Sequence, residues 1–132
     1  MKYNQVKLYH YSNKNIKGRI KPSFFGGNYY TGNDVKASPV RRAFYYLSRH
    51  KTEHLLDNSK YLYITEVNRN KLYNLDKDPK DLKSRFIIKG LAVIDITRLL
   101  KYIKKSYTGI VYNRNVTAIF KDLKYTRKIE RG

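Results

Sequence analysis

The sequence has no cysteine, no tryptophan, only three prolines and one methionine in 132 residues. Without thiols there is no disulfide framework, no thiolate metal site and no cysteine nucleophile. Imidazoles are nearly as scarce: His10, His50 and His54 are the only three, and no carboxylate cluster accompanies them in the pattern. His50 and His54 stand four apart but lack a third ligand, so they read as a solvated pair and no metal site is expected. No apolar run approaches the roughly eighteen residues of a membrane span, and no apolar segment follows Met1-Lys2-Tyr3-Asn4-Gln5, so a soluble cytoplasmic protein without membrane attachment is expected. The P-loop, the dinucleotide-binding GxGxxG and the GxSxG nucleophile elbow are all missing, as are repeats, heptads and low-complexity tracts.

Acidic residues are the last shortage, ten against twenty-nine Lys and Arg, for a formal charge of +19. The imbalance lies at the two ends. Residues 1–56 carry eleven cations against Asp34 and Glu53, and residues 97–132 carry ten against Asp122 and Glu130, whereas residues 57–96 are nearly balanced, eight against six. Such a surface attracts polyanions, and nucleic acid bound to it responds to salt. The length suits one domain, residues 1–132, with a single core.

Periodicity predicts an α+β domain of about six or seven short strands and two to three helices in a mixed order. Residues 2–11 alternate as a first strand, with Val6, Leu8 and His10 on one face and Lys7, Tyr9 and Tyr11 on the other. A Gly26-Gly27 turn leads into an extended segment at Asn28-Tyr29-Tyr30-Thr31. Ser38-Pro39 is a helix start, and Val40, Ala43, Phe44 and Leu47 fall at helical spacing, which predicts a helix over 39–50. Residues 60–67 form a central strand rich in aromatic and β-branched side chains. A short helical piece at 79–83 and extended chain over 87–96, interrupted at Gly90, come next. Thr97 then caps a helix over 98–105. Strands at 110–112 and 116–120, joined by Asn113-Arg114-Asn115, and an extended end at 124–129 complete the chain.

Leu8-Tyr9-His10-Tyr11-Ser12, Phe25-Gly26-Gly27-Asn28-Tyr29-Tyr30-Thr31, Ala43-Phe44-Tyr45 and Tyr107-Thr108-Gly109-Ile110-Val111 occur in that order. This series resembles the ordered motifs of the small, diphtheria-toxin-like ADP-ribosyltransferases. The resemblance implies an ADP-ribosyltransferase-like α+β fold of split mixed or antiparallel sheets with two to three flanking helices, and a chain that binds NAD as substrate and transfers ADP-ribose to an anionic or nucleic-acid-associated target. It gives His10 the nicotinamide ribose, places Ser12 with the backbone around Tyr11 on the nicotinamide amide, and puts Gly27 in the turn of the site. Tyr29, or Tyr30 in the alternative register, stacks on the nicotinamide ring, with Tyr45 or Phe44 closing the other side.

The family's catalytic carboxylate, which steadies the cationic transition state, aligns with Asn115. Either the alignment is displaced, or Asp122 or Asp34 substitutes, or the chain binds without catalysing. The last case gives the alternative function: a catalytically degenerate basic module that engages nucleic acid or a nucleoprotein partner through Arg41, Arg42, Lys101, Lys104, Lys105 and Arg114, with exposed tyrosines stacking on bases. Without reference to the family, His10 also reads as a satisfied interior histidine, the Gly-Gly step as a plain hairpin or bulge, and the tyrosines as core.

Overall fold

The structure, a computed structural model, describes residues 4–23, 29–30, 40–48, 59–90, 93–112 and 115–131. Gly27, Asp34, the Ser38-Pro39 cap, His50, His54 and Arg114 lie outside the described residues, as do the side chains of Tyr29 and Tyr30.

Aromatic and β-branched residues dominate the two longest strands, β1 (Gln5–Ser12) and β5 (Tyr61–Asn68), which pair antiparallel along their whole length from Gln5↔Asn68 to Ser12↔Tyr61. Around this pair forms a seven-stranded mixed sheet. It is extended by β4 (Ala43–Tyr46), β6 (Leu72–Asn74), β9 (Gly109–Val111), β10 (Val116–Ile119) and β12 (Arg127–Glu130), in the order β12-β5-β1-β4-β10-β9-β6. Only β6 and β9 run parallel. Two small sheets accompany it: β2 (Arg19–Ile20) with β11 (Leu123–Lys124), and β3 (Tyr29–Tyr30) with β8 (Val93–Asp95) and β7 (Ile87–Ile88). The helices among the described residues are α1 (Leu82–Arg85) and α2 (Ile96–Lys104). The fold is therefore α+β, mostly sheet.

Each face of the large sheet has its own core, as alternation along the strands requires. One contains Leu8, Ala43, Tyr45, Tyr63, Val67 and Ile119, covered by Ile20 from the β2–β11 pair. The other gathers Tyr73, Ile110, Tyr112 and Ala118 against Leu99, Leu100 and Ile103 of α2. Gly109 is required by close approach, because a Cβ there would lie 2.5 Å from the Ala118 carbonyl oxygen. Gly90 turns the β7–β8 hairpin with φ +87, a conformation open to glycine.

Two expectations need correction. No helix occupies the described part of 39–50; instead Ala43–Tyr46 is a strand, hydrogen-bonded to β1 on one side and to β10 on the other. Its burial alternates, with Ala43 and Tyr45 in the core. A short run of four such residues satisfies both periods, and sheet pairing on both edges outweighs the local helix pattern. The second helix is capped by Asp95 rather than Thr97: its carboxylate accepts the Arg98 N–H at 3.2 Å, so the helix begins at Ile96.

Candidate functional site

The alternation of β1 places His10 on the same face as Leu8, where its ring lies 5.2 Å from that of Tyr45 and 6.3 Å from that of Tyr63. Its Nδ1 is 2.8 Å from the Phe44 carbonyl oxygen. A carbonyl only accepts, so Nδ1 carries the proton and Nε2 keeps its lone pair. Burial lowers the imidazole pKa below its ordinary 6.5 and outweighs the opposing hydrogen bond to Phe44. The ring is neutral at pH 7.

His10 lines an open cleft of about 650 Å³ between the end of β1, the segment after it and the start of β4. Lys14, Arg19 and Lys21 form one wall, all three exposed. Arg42 also lines the cleft, fully buried, with its guanidinium carbon 5.6 Å from the centre of the Phe44 ring. Burial lowers its pKa, and Tyr112 opposes that shift. Tyr11, Phe44 and Tyr46 are also among its lining residues; Tyr11 and Tyr46 meet edge to face at 6.0 Å, and the Phe44 ring lies 6.4 Å from that of Tyr112. Ser12 and Ser23 supply hydroxyls. Among the described lining residues there is no carboxylate. A smaller cavity, about 280 Å³, is lined mainly by aliphatic side chains with Arg69 as its one cation.

The cationic wall is held by the core beneath it. Tyr63, buried in β5, donates its hydroxyl to the Lys14 carbonyl and accepts the Ile16 N–H, both at 2.6 Å. Tyr125 donates to the Ile16 carbonyl at 2.9 Å, and its ring stands 4.9 Å from that of Tyr63. Asn13 accepts the Lys60 N–H at 3.0 Å, while Lys128 bonds Asn15 and lies 4.8 Å over Tyr61. Ser12 Oγ accepts the Lys14 N–H at 3.0 Å and tightens the turn. The strand that positions His10 thus also positions Lys14.

Comparison with family models, curated proteins and solved structures finds no match. The site is therefore read from its own geometry.

Of the residues that sequence reasoning proposed, the structure brings His10, Tyr11 and Ser12 together on the cleft. Between the two aromatic alternatives on β4, Phe44 lines it, whereas Tyr45 has no exposed surface and forms core behind His10. Tyr45 therefore offers no ring face for stacking, a correction that follows from strand alternation. Its hydroxyl is buried without a hydrogen-bond partner among the described residues, and burial, then the charge of Asp122, raises its pKa. The backbone of Tyr29 and Tyr30 pairs with Asp95 and Ile94 in the small three-stranded sheet.

Asn115 is not at the cleft. Its Oδ1 accepts the Leu47 and Ser48 N–H groups at 3.1 and 3.0 Å, which ties the end of β4 to the start of β10. This is a positional correction: the carboxamide closes a strand end. Asp122 is exposed between β10 and β11 and does not line the cleft. Lys101, Lys104 and Lys105 are exposed at the end of α2, and Arg41 is exposed beside β4, so of the described members of the basic set only Arg42 lines the cleft. Lys14, Arg19 and Lys21 were not singled out from sequence, although a signal existed, since the first acid in the chain is Asp34. Among the described residues no His, Cys, Asp and Glu cluster could hold a metal, and no helix is long and apolar enough to cross a membrane.

Proposed function

We propose that the protein is a basic binding module whose cleft takes a single-stranded stretch of nucleic acid. The observation that carries this reading is the makeup of the cleft: Lys14, Arg19 and Lys21 with the aromatic residues Tyr11, Phe44 and Tyr46 in its lining, and no carboxylate among the described lining residues. Cations along a groove follow a phosphate backbone, and aromatic rings stack on bases that a duplex would hide. A titration of fluorescent single-stranded RNA and DNA against KCl, read by anisotropy, tests it. Three neutralised phosphates give a log K against log salt slope of about −2. Affinity flat in salt, or unchanged by Lys14→Ala with Lys21→Ala, refutes it.

A second reading, NAD binding with ADP-ribosyl transfer, is favoured by one observation: His10, Tyr11 and Ser12, which belong to the first of the four motifs behind the family resemblance, stand together on a cleft of about 650 Å³, a size that suits a cofactor. The nicotinamide ribose would meet His10 and the pyrophosphate the cations. Against it stands electrostatics, because an oxocarbenium-like transition state gains from a carboxylate and loses beside Lys14 and Arg19. Calorimetric titration with NAD, and labelled NAD incubated with a lysate, separate the readings: heat and transferred label that His10→Ala abolishes support transfer, and neither signal sinks it.

A further inference from the structure

The cleft combines two features that matter for chemistry on a bound phosphodiester. One is a histidine whose free nitrogen is defined. The Nδ1–H donates to the Phe44 carbonyl oxygen at 2.8 Å, so Nε2 is the ring nitrogen that keeps its lone pair, on a residue that lines the cleft. The second feature is the sign of the field. Lys14 and Arg19 on the wall, with Arg42 also in the lining, favour a transition state that gains negative charge and disfavour one that becomes cationic. The lack of a carboxylate among the described lining residues, which counts against ribosyl transfer, is no handicap for transfer at phosphorus.

We infer that the cleft cleaves single-stranded RNA without a metal, with His10 Nε2 as general base toward the ribose 2′-hydroxyl. The step moves the 2′-hydroxyl proton to Nε2 while the 2′-oxygen forms a bond to phosphorus. The bond from phosphorus to the 5′-oxygen breaks, and that oxygen leaves with a proton taken from water. His10 then returns its proton to the hydroxide so formed. The products are a 2′,3′-cyclic phosphate and a 5′-hydroxyl end, with no oxidant, reductant or further reactant. Lys14 and Arg19 face the added charge on the phosphoryl oxygens. Depressed basicity keeps the imidazole unprotonated at neutral pH, as a base must be before it acts.

This inference rests on the nucleic-acid reading, and the test separates the two. The full chain is incubated in EDTA with 5′-labelled single-stranded RNA and with its 2′-O-methyl and DNA counterparts; binding is read by anisotropy and products by gel and mass spectrometry. The expected result is that all three bind and only RNA is cut, leaving a cyclic phosphate. His10→Ala should reduce cutting by roughly 100-fold or more. His10→Asn, whose amide can still donate to the Phe44 carbonyl, should do the same while the protein keeps a cooperative melting transition and still binds the 2′-O-methyl strand. The rate should fall on acidification as the imidazole protonates. Binding of all three strands with intact RNA overturns the inference and leaves the binding module standing. Cutting that survives in a folded His10→Asn protein also overturns it. Failure of all three strands to bind overturns the reading beneath both.

Discussion

Replacing Tyr63 by Phe removes one oxygen and nothing else, yet that oxygen joins the core of the sheet to the wall of the cleft. It donates to the Lys14 carbonyl and accepts from the Ile16 N–H, each at 2.6 Å. The Tyr63 ring is itself fully buried, so the substitution leaves its packing against Leu8 and Tyr125 in place. Each hydrogen bond contributes on the order of 1 kcal/mol net, and an N–H left dry costs more than one that water can reach. Lys14 is exposed and Ile16 half-buried, so water replaces part of the loss. The expected destabilisation is about 2 kcal/mol, which for a chain of this size lowers the melting temperature by roughly 6–10 °C. Tyr125→Phe removes a single bond to the Ile16 carbonyl and should cost about half as much. Because both hydroxyls hold the same turn, the double variant should depart from additivity. Thermal and urea unfolding followed by circular dichroism give the stabilities, and oligonucleotide anisotropy gives the affinity, which should weaken in Tyr63→Phe as Lys14 loses its anchor. A Tyr63→Phe protein as stable as wild type, or one that is destabilised but binds unchanged, would refute the proposed link between core and cleft.

Gly109→Ala sets a Cβ 2.5 Å from both the Ala118 carbonyl oxygen and the Ile119 Cδ1, so β9 must shift between its neighbours. Overpacking of this kind should cost about 2–3 kcal/mol in urea unfolding, and a loss below about 0.5 kcal/mol would mean that the strands are not so close. Acidification should act in two stages. His10 has a folded pKa below its ordinary 6.5, so as pH drops through that value the unfolded chain takes up a proton that the folded one refuses, and stability falls. The urea midpoint should therefore drop between pH 7 and 5, and His10→Asn should flatten that drop. In Asp78, burial alone would raise the pKa, but hydrogen bonds from Tyr73 and from the Lys83 and Leu82 N–H groups outweigh it and hold the carboxyl below its ordinary 3.8. Its stabilisation is present above that value and disappears as pH falls through the lower folded one. Asp95→Ala removes the cap of α2 and should cost about 1 kcal/mol of unfolding free energy.

The parts of this fold that could be read from sequence are those where local pattern and tertiary pairing agree. The alternation of β1 placed Val6, Leu8 and His10 on one face, and the aromatic, β-branched run of β5 marked an interior strand of the large sheet. Where they disagree, pairing wins: Ala43 to Tyr46 carries apolar residues at helical spacing but meets β1 and β10 on its two edges. The Thr97 cap misled for a smaller reason, since Asp95 lies two residues earlier and has the stronger acceptor. For the site, proximity in sequence carried His10, Tyr11 and Ser12 into one place because they end one strand. Asn115 sits on a strand of the same sheet, yet which neighbour takes its carboxamide depends on register, and register joined it to Leu47 and Ser48. Of the wall cations, Lys14 lies on irregular chain held by Tyr63 and Arg19 on a two-residue strand paired with β11, contacts with distant parts of the chain that no local periodicity encodes.

The central claim is that a phosphate-bearing strand occupies the cleft of His10. Its most direct test is a titration of isotope-labelled protein with a short single-stranded RNA whose sugars are 2′-O-methylated to prevent turnover, followed by amide and imidazole chemical shifts. The account predicts saturable shifts centred on His10, Ser12, Arg19, Lys21 and Phe44, together with a change at His10 Nε2. Shifts that gather on the exposed lysines of α2 while those residues stay still would contradict it.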